Sequence, residues 1–131
     1  AALLVVVPVL LGLPLPAHLP AFALTTVLAA VSFLAVGALL CGVARTSRIG
    51  AGVGGFVAAC MWFASGMWVP RSLFPPVLMT ISDLTPGGAA AGSMLRAMAG
   101  QGPEVLAIVV MVGWSVVGFA VAARTFRLEA P

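Results

Sequence analysis

Long apolar runs alternate with short proline- and arginine-containing segments along the chain. Residues 21–43, 51–69 and 104–123 are apolar over lengths that suit membrane helices, since about 20 residues cross the hydrocarbon core. Residues 1–13 are apolar but shorter, and we predict that they are the end of a helix that begins upstream. The pattern therefore predicts an all-α fold, a polytopic transmembrane helix bundle with four membrane helices that forms a single, partial domain over residues 1–131.

The segment 70–103, before the last of these helices, follows a different pattern. Pro75 and Pro76 suit the first turn of a helix, because the N–H that proline lacks would have no partner there. Two short amphipathic stripes follow, separated by the helix-breaking sequence 85–88. The first stripe is Val77, Leu78, Ile81 and Leu84, and the second is Ala91, Met94, Leu95 and Met98, with Ser93 and Arg96 off it. We expect two short helices at or within the membrane interface.

Small residues recur every four positions in the predicted span 51–69, at Ala51, Gly55 and Ala59. Such a stripe lets helix backbones approach closely in lipid, although glycine is also common in membrane helices for no special reason. A second narrow region is predicted in the preceding span, at Ala35, Gly37 and Ala38.

The composition agrees with a membrane protein. Hydrophobic residues make up 63% of the chain and charged residues only 7%, whereas a soluble domain carries about 25% charged residues. The six arginines are scattered, so no nucleic-acid interface is expected. Cys41 and Cys60 both fall in apolar runs, which predicts neither a disulfide nor a metal site, and no cofactor is expected. The absence of Lys, Asn and Tyr is typical of a bacterium with a GC-rich genome.

The positions of the arginines predict the orientation in the membrane. The connector 44–50 and the tail 124–131 carry two arginines each, and both lie on one side if two spans separate them. The opposite side has Arg71 and Arg96. By the positive-inside rule the connector and the C-terminus are predicted to be cytoplasmic, and the segment 70–103 external.

The order of these motifs resembles the C-terminal half of the type-two ABC exporter permeases, the transmembrane subunits of ATP-driven transporters. The matching residues are Ser65-Gly66, Pro70, Leu73-Phe74-Pro75-Pro76, Ile81, Leu84-Thr85-Pro86, Leu95-Arg96 and Arg124-Thr125-Phe126-Arg127. The chain departs from the family at Gly87-Gly88-Ala89, where an aromatic residue is common. The resemblance implies helices three to six of a six-helix permease. It also implies an external re-entrant helical hairpin marked by Pro70, Pro75, Pro76 and Pro86.

The resemblance also implies partners: a second permease copy and ATP-binding cassette subunits on the cytoplasmic side of a bacterial inner membrane. The chain has no lysine, so it cannot form a P-loop, and we expect a transporter subunit without catalytic residues rather than an enzyme. The candidate contacts with the ATP-binding subunit are Arg45, Thr46, Ser47 and Arg48. The alternative is that these arginines only fix the topology.

If the span 51–69 lines the transport path, as the resemblance implies, four residues of its outer half are candidates to face cargo. These are Met61, Phe63, Ser65 and Met67. Thioethers and aromatic rings form an adaptable surface for hydrophobic cargo such as drugs, antibiotics or lipid-like compounds. The alternative is that these residues face lipid or pack against other helices.

Other functional classes have weaker support. An ion- or proton-coupled transporter usually carries charged or titratable residues within its spans, and no Asp, Glu, Arg or His occurs in residues 21–43, 51–69 or 105–123. A membrane scaffold subunit is a further alternative. His18 could serve as a proton carrier or, with Ser65, as a protease dyad, but it lies among prolines in a loop outside the apolar spans.

Overall fold

The computed structural model describes residues 6, 9–12, 15–44 and 46–128. Over these residues the protein is helical, with no strand. Its main elements are α1 (Leu19–Val43), α2 (Ser47–Ser65), a 3-10 helix (Arg71–Leu73), α3 (Pro76–Asp83), α4 (Pro86–Met98) and α5 (Val105–Leu128). Three of them, α1, α2 and α5, are long and apolar enough to cross a membrane. The predicted helix over residues 1–13 falls mostly outside the described residues.

Capping side chains and one glycine decide where α1 begins and where α2 begins and ends. The His18 Nδ1 accepts a hydrogen bond from the Ala21 N–H at 3.2 Å, so α1 begins two residues before the predicted span. Thr46 caps α2 in the same way. Gly66 ends α2 with a left-handed φ of 83°, a conformation that glycine adopts without strain. The predicted span 51–69 is therefore wrong at both ends, since the helix starts and stops four residues earlier.

Helices α1 and α5 run parallel and pack closely. Gly118 lies against Ala35, where an added Cβ would be 2.6 Å from the Ala35 carbonyl oxygen. The buried Ser32 Oγ lies 2.8 Å from the Met111 carbonyl oxygen. Small residues therefore produce the close approach between these helices. Among the described residues the small-residue stripe of α2 has no such partner, because Ala51, Gly55 and Ala59 are exposed and nothing lies within 4 Å of a Cβ added at Gly55.

Both arginine-bearing segments lie at the same end of the bundle. A Cβ added at Gly42, near the end of α1, would lie 3.3 Å from Thr125, near the end of α5. The connector to α2 follows directly after α1, so it lies beside the end of α5. We call this the arginine end. The helix α5 continues to Leu128, so most of the predicted tail is the last turn of this helix.

The helices α3 and α4 lie at the opposite end, which we call the α3–α4 end. The Ala97 carbonyl oxygen accepts a hydrogen bond from the His18 N–H at 3.0 Å, beside the start of α1. The helices are separated only by Leu84 and Thr85, because Thr85 caps α4 and Pro86 begins it. The helix break predicted over residues 85–88 is thus shorter than expected.

The face of α4 that packs inward consists of small residues. Its buried positions are Pro86, Gly87, Gly88, Ala89, Ala90, Ser93 and Ala97. The larger Leu95 and Met98 of the predicted stripe are exposed. Ala89 and Ala90 pack with residues of α1 and α5 around Met111, which is fully buried. The core is therefore built largely by close backbone approach around Met111, and most of the larger apolar side chains face outward.

Candidate functional site

A largely buried arginine connects three helices at the α3–α4 end. The Arg71 side chain is only 11% exposed and forms an ion pair with Asp83 of α3. Its Nη1 also donates to the Gly88 carbonyl oxygen at 2.8 Å, to the Ser82 hydroxyl at 3.1 Å and to the Ala64 carbonyl oxygen at 3.4 Å. A single guanidinium thus bonds to the end of α2, the end of α3 and the start of α4. Its planar array of five N–H donors suits such multiple contacts.

Two hydroxyl groups complete this polar hub. The Ser82 Oγ donates to the Ala64 carbonyl oxygen at 2.7 Å. The Thr85 Oγ1 donates to the Ser82 carbonyl oxygen at 2.7 Å and accepts from the Gly88 N–H at 3.1 Å. We define the hub as Arg71, Ser82, Asp83 and Thr85. Ser82 is buried and the other three residues are partly buried, and the cost of this burial is offset because the polar groups are bonded to one another and to helix ends.

Glycine is required where the backbone closes around the hub. A Cβ at Gly88 would lie 2.1 Å from the Ser82 carbonyl oxygen, so no larger residue fits there without displacing α3 from α4. Gly66 is required for two reasons. Its backbone is left-handed, and an added Cβ would lie 2.6 Å from Arg71 Cγ. The Gly87-Gly88 sequence, at which the chain departs from the family pattern, is thus explained by packing.

An apolar groove of about 510 Å³ lies between α1 and α2. Its volume is in the range of small-molecule sites, about 300–1,000 Å³. The lining residues are Phe33, Val36, Gly37, Leu40, Gly54, Val57, Ala58, Met61, Trp62, Ser65 and Gly87. A second open groove of about 590 Å³ begins at Ser65 and extends past Met67 and Arg71 to Leu95. Ser65 is therefore common to both grooves.

The predicted cargo-facing residues do not share one surface. Met61 and Ser65 lie one turn apart and line the groove between α1 and α2. Phe63 does not line either groove and stacks on Phe74, with ring centroids 5.6 Å apart. Met67 lies beyond the end of α2 and is 71% exposed in the second groove. The structure thus brings Met61 and Ser65 together and gives Phe63 a packing role.

The described residues among the predicted contacts with an ATP-binding subunit lie at the arginine end. Arg48 is exposed in the first turn of α2, and Thr46 caps that helix. Ser47 is the first residue of α2, and Arg45 lies outside the described residues. Arg124 is also exposed at this end, so cationic side chains from two helices flank the same face.

The four predicted hairpin prolines each precede or begin a helical turn. Pro70 and Pro75 are the caps of the 3-10 helix and of α3, while Pro76 and Pro86 are the first residues of α3 and α4. Proline suits these positions because they require no N–H donor. Pro86 is in addition fully buried against the neighbouring helices.

The sequence interpretation missed the hub because it counted Arg71 as a topology charge. A signal was present: Arg71 and Asp83 are opposite charges in a largely apolar region. Such charges in a membrane protein commonly pair with each other. A second missed contact joins α5 to the turn after α3, where the Trp114 Nε1 donates to the Leu84 carbonyl oxygen at 2.9 Å.

The described residues contain no group of three His, Cys, Asp or Glu side chains that could hold a metal. His18 caps α1, and the Ser65 hydroxyl donates to the Trp62 carbonyl oxygen at 2.8 Å, so no hydrogen bond joins the two residues of the hypothetical dyad. No protein-family model, curated protein or solved structure matches this chain. Its function is therefore inferred from its own residues and their arrangement.

Proposed function

We propose that the chain is the transmembrane permease subunit of an ATP-driven exporter in a bacterial cell membrane. Its cargo would be hydrophobic small molecules such as drugs, antibiotics or lipid-like compounds. The observation that carries this proposal is the hub. The Ser-Gly and Thr-Pro motifs that resemble the exporter permeases meet around Arg71 as one structure, at the end opposite the connector and the last turn of α5.

The proposal includes a re-entrant hairpin formed by α3 and α4. Leu84, in the turn between them, bonds to Trp114, which lies nine residues after the start of α5. At 1.5 Å per residue this is a depth of roughly 14 Å, about half of the hydrocarbon core. The outward side chains of Val77 and Ile81 are 72% and 55% exposed, which suits contact with lipid. Together with residues 1–13, the three long helices would give four membrane helices.

The charge distribution supports a cytoplasmic arginine end. Residues 44–50 and 124–128 supply two arginines each. At the α3–α4 end, Arg71 is buried in its ion pair, and the Arg96 Nε lies 3.9 Å from a carboxylate oxygen of Glu104. Since arginines in short loops favour the cytoplasmic side, we propose that the connector and the C-terminus are cytoplasmic. The α3–α4 end is then external.

The energy for transport would come from a partner. Without lysine, the chain offers no P-loop to hold a nucleoside triphosphate. The exposed Arg48 at the arginine end could meet acidic groups of an ATP-binding cassette subunit. A second permease copy would complete the transport path, with Met61 and Ser65 in the groove as the cargo-facing residues.

The decisive experiment is purification of the tagged full-length protein from its native membrane, followed by an ATP hydrolysis assay in lipid vesicles. We expect an ATP-binding subunit to co-purify and hydrophobic cargo to stimulate hydrolysis. Transport that is driven by a proton gradient in the absence of ATP would contradict the proposal.

The contact at the arginine end can be tested separately. Charge reversal at Arg45 and Arg48 should weaken co-purification of the ATP-binding subunit, whereas Arg96→Gln at the opposite end should leave it unchanged. If the double reversal inserts normally and cargo-stimulated hydrolysis persists, the arginines serve topology alone.

A further inference from the structure

The helix α2 is attached to the rest of the chain mainly at its two ends. Only 6% of its apolar stretch is buried, compared with 22% of the corresponding stretch in α1 and in α5. Nothing lies within 4 Å of a Cβ added at Gly52, Gly54 or Gly55, in the first half of the helix. The groove between α1 and α2 occupies the space beside this section of the helix.

At the arginine end the attachment is the short connector. It spans residues 44–46, and a Cβ added at Gly50 would lie 3.1 Å from the Ala44 side chain. The start of α2 is therefore held close to the end of α1 by the covalent chain itself.

At the α3–α4 end the attachment depends on polar contacts within one turn of α2. The Ala64 carbonyl oxygen accepts from both Arg71 and Ser82. The same turn is positioned by the Phe63–Phe74 stack and by close packing of Gly87 on Met61. Each hydrogen-bonded contact involves Arg71 directly or a hydroxyl group bonded to it.

We propose that Arg71 is a clasp that closes one end of the groove between α1 and α2. While Arg71 is paired with Asp83 and bonded to Ala64, the end of α2 stays against α3 and α4. When the clasp is released, α2 swings about the connector 44–46 and the groove widens at the α3–α4 end. This conformational device does not depend on the proposed transport activity.

The release of α2 is expected because the charge of Arg71 lies between α2, α3 and α4. Loss of Arg71 leaves the Asp83 carboxylate and the Ala64 and Gly88 carbonyl oxygens without their shared donor in a partly buried site. The Asp83 side chain is already 40% exposed, so water can solvate it in place, and the Ala64 oxygen keeps the Ser82 hydroxyl as a donor. The lost bond between Arg71 and Ala64 is therefore what frees the end of α2 to move away from α3 and α4. Packed interfaces tend to switch between discrete arrangements rather than deform gradually, so the two positions of α2 should be distinct.

Distances between spin labels test the clasp in the full-length protein reconstituted in lipid nanodiscs. One pair reports on the α3–α4 end: native Cys60 on α2 and Val27→Cys on α1, in a Cys41→Ser background; both native positions are exposed. A control pair reports on the arginine end: native Cys41 and Val53→Cys, in a Cys60→Ser background.

We expect Arg71→Met to lengthen the distance of the first pair by more than about 2 Å, beyond the helix shifts of about 1–2 Å common at packed interfaces. Asp83→Asn should act in the same direction with a smaller shift, and it keeps the test decisive if Arg71→Met fails to fold. Arg96→Met is the matched control, since the Arg96 contact with Glu104 is longer and half exposed. It should change neither pair.

Two results would overturn the proposal. The first is an unchanged Val27–Cys60 distance in Asp83→Asn and in any Arg71→Met protein that folds. The second is an equal increase in the label-to-label distance of both pairs, which would mean that Arg71 stabilises the bundle as a whole. Partial restoration of the distance by Arg71→Lys, which keeps the charge but fewer donors, would support the clasp.

Discussion

The contact between Gly118 and Ala35 makes Gly118→Ala a sharp test of the packing of α1 on α5. The new Cβ would lie 2.6 Å from the Ala35 carbonyl oxygen and 2.9 Å from its Cβ, whereas ordinary contact begins at 3.4 Å. Because the first of these is a backbone atom, no rotamer change relieves the clash and the helices must separate. Overpacking of this kind costs about 1–3 kcal/mol. We therefore expect the free energy of unfolding to fall by about that amount.

The measurement is unfolding in mixed micelles with increasing denaturing detergent, followed by tryptophan fluorescence. Gly113→Ala on the same helix is the matched control, because nothing lies within 4 Å of its added Cβ. It should be neutral or more stable by up to about 1 kcal/mol, the gain in helix propensity. Equal stability of the two variants would refute the close approach of α1 and α5.

Other substitutions test separate contacts by the same unfolding assay. Ser32→Ala removes a contact with the Met111 carbonyl oxygen and should cost about 0.6 kcal/mol, the average for hydrogen bonds between membrane helices; a stabilised variant would contradict this. Gly88→Ala should destabilise strongly, since the Cβ would lie 2.1 Å from a carbonyl oxygen of α3; a neutral effect would refute the hub packing. Phe63→Ala should lose stability with its aromatic stack, by about 0.5–1.5 kcal/mol beyond the lost burial. Met61→Ala should instead change cargo preference in a transport assay, and unaltered preference would count against a cargo role for the groove.

The sequence was a good guide to the long helices and a poor guide to their ends. Hydropathy located α1 to within two residues at its start, because apolar length is the dominant signal in a membrane span. It misplaced α2 by four residues because Arg48 lies in the first turn and Trp68 follows the last. Hydropathy excluded Arg48 from the span and included Trp68, whereas the Thr46 cap and the left-handed Gly66 determine the ends of the helix.

The contacts of the candidate site were harder to predict, since they join residues far apart in the sequence. Arg71 bonds to Gly88 seventeen residues away, and Ser32 contacts Met111 across 79 residues. No local pattern specifies such pairs. The packed face of α4 was also hidden, because the amphipathic stripe emphasised Leu95 and Met98. In lipid the smaller residues form the interface between helices and the larger ones face outward.

Accessibility of single cysteines tests most directly the claim that the two arginine-bearing segments share one membrane face opposite α3 and α4. In a background of Cys41→Ser and Cys60→Ser, one cysteine is placed in turn at the exposed positions Thr46, Arg124 and Ser72. An impermeant maleimide is then applied to intact cells and to inverted vesicles. We expect Thr46→Cys and Arg124→Cys to be labelled only in inverted vesicles, and Ser72→Cys only in intact cells. Labelling of Thr46→Cys and Arg124→Cys from opposite sides would contradict the fold and the proposed exporter role together.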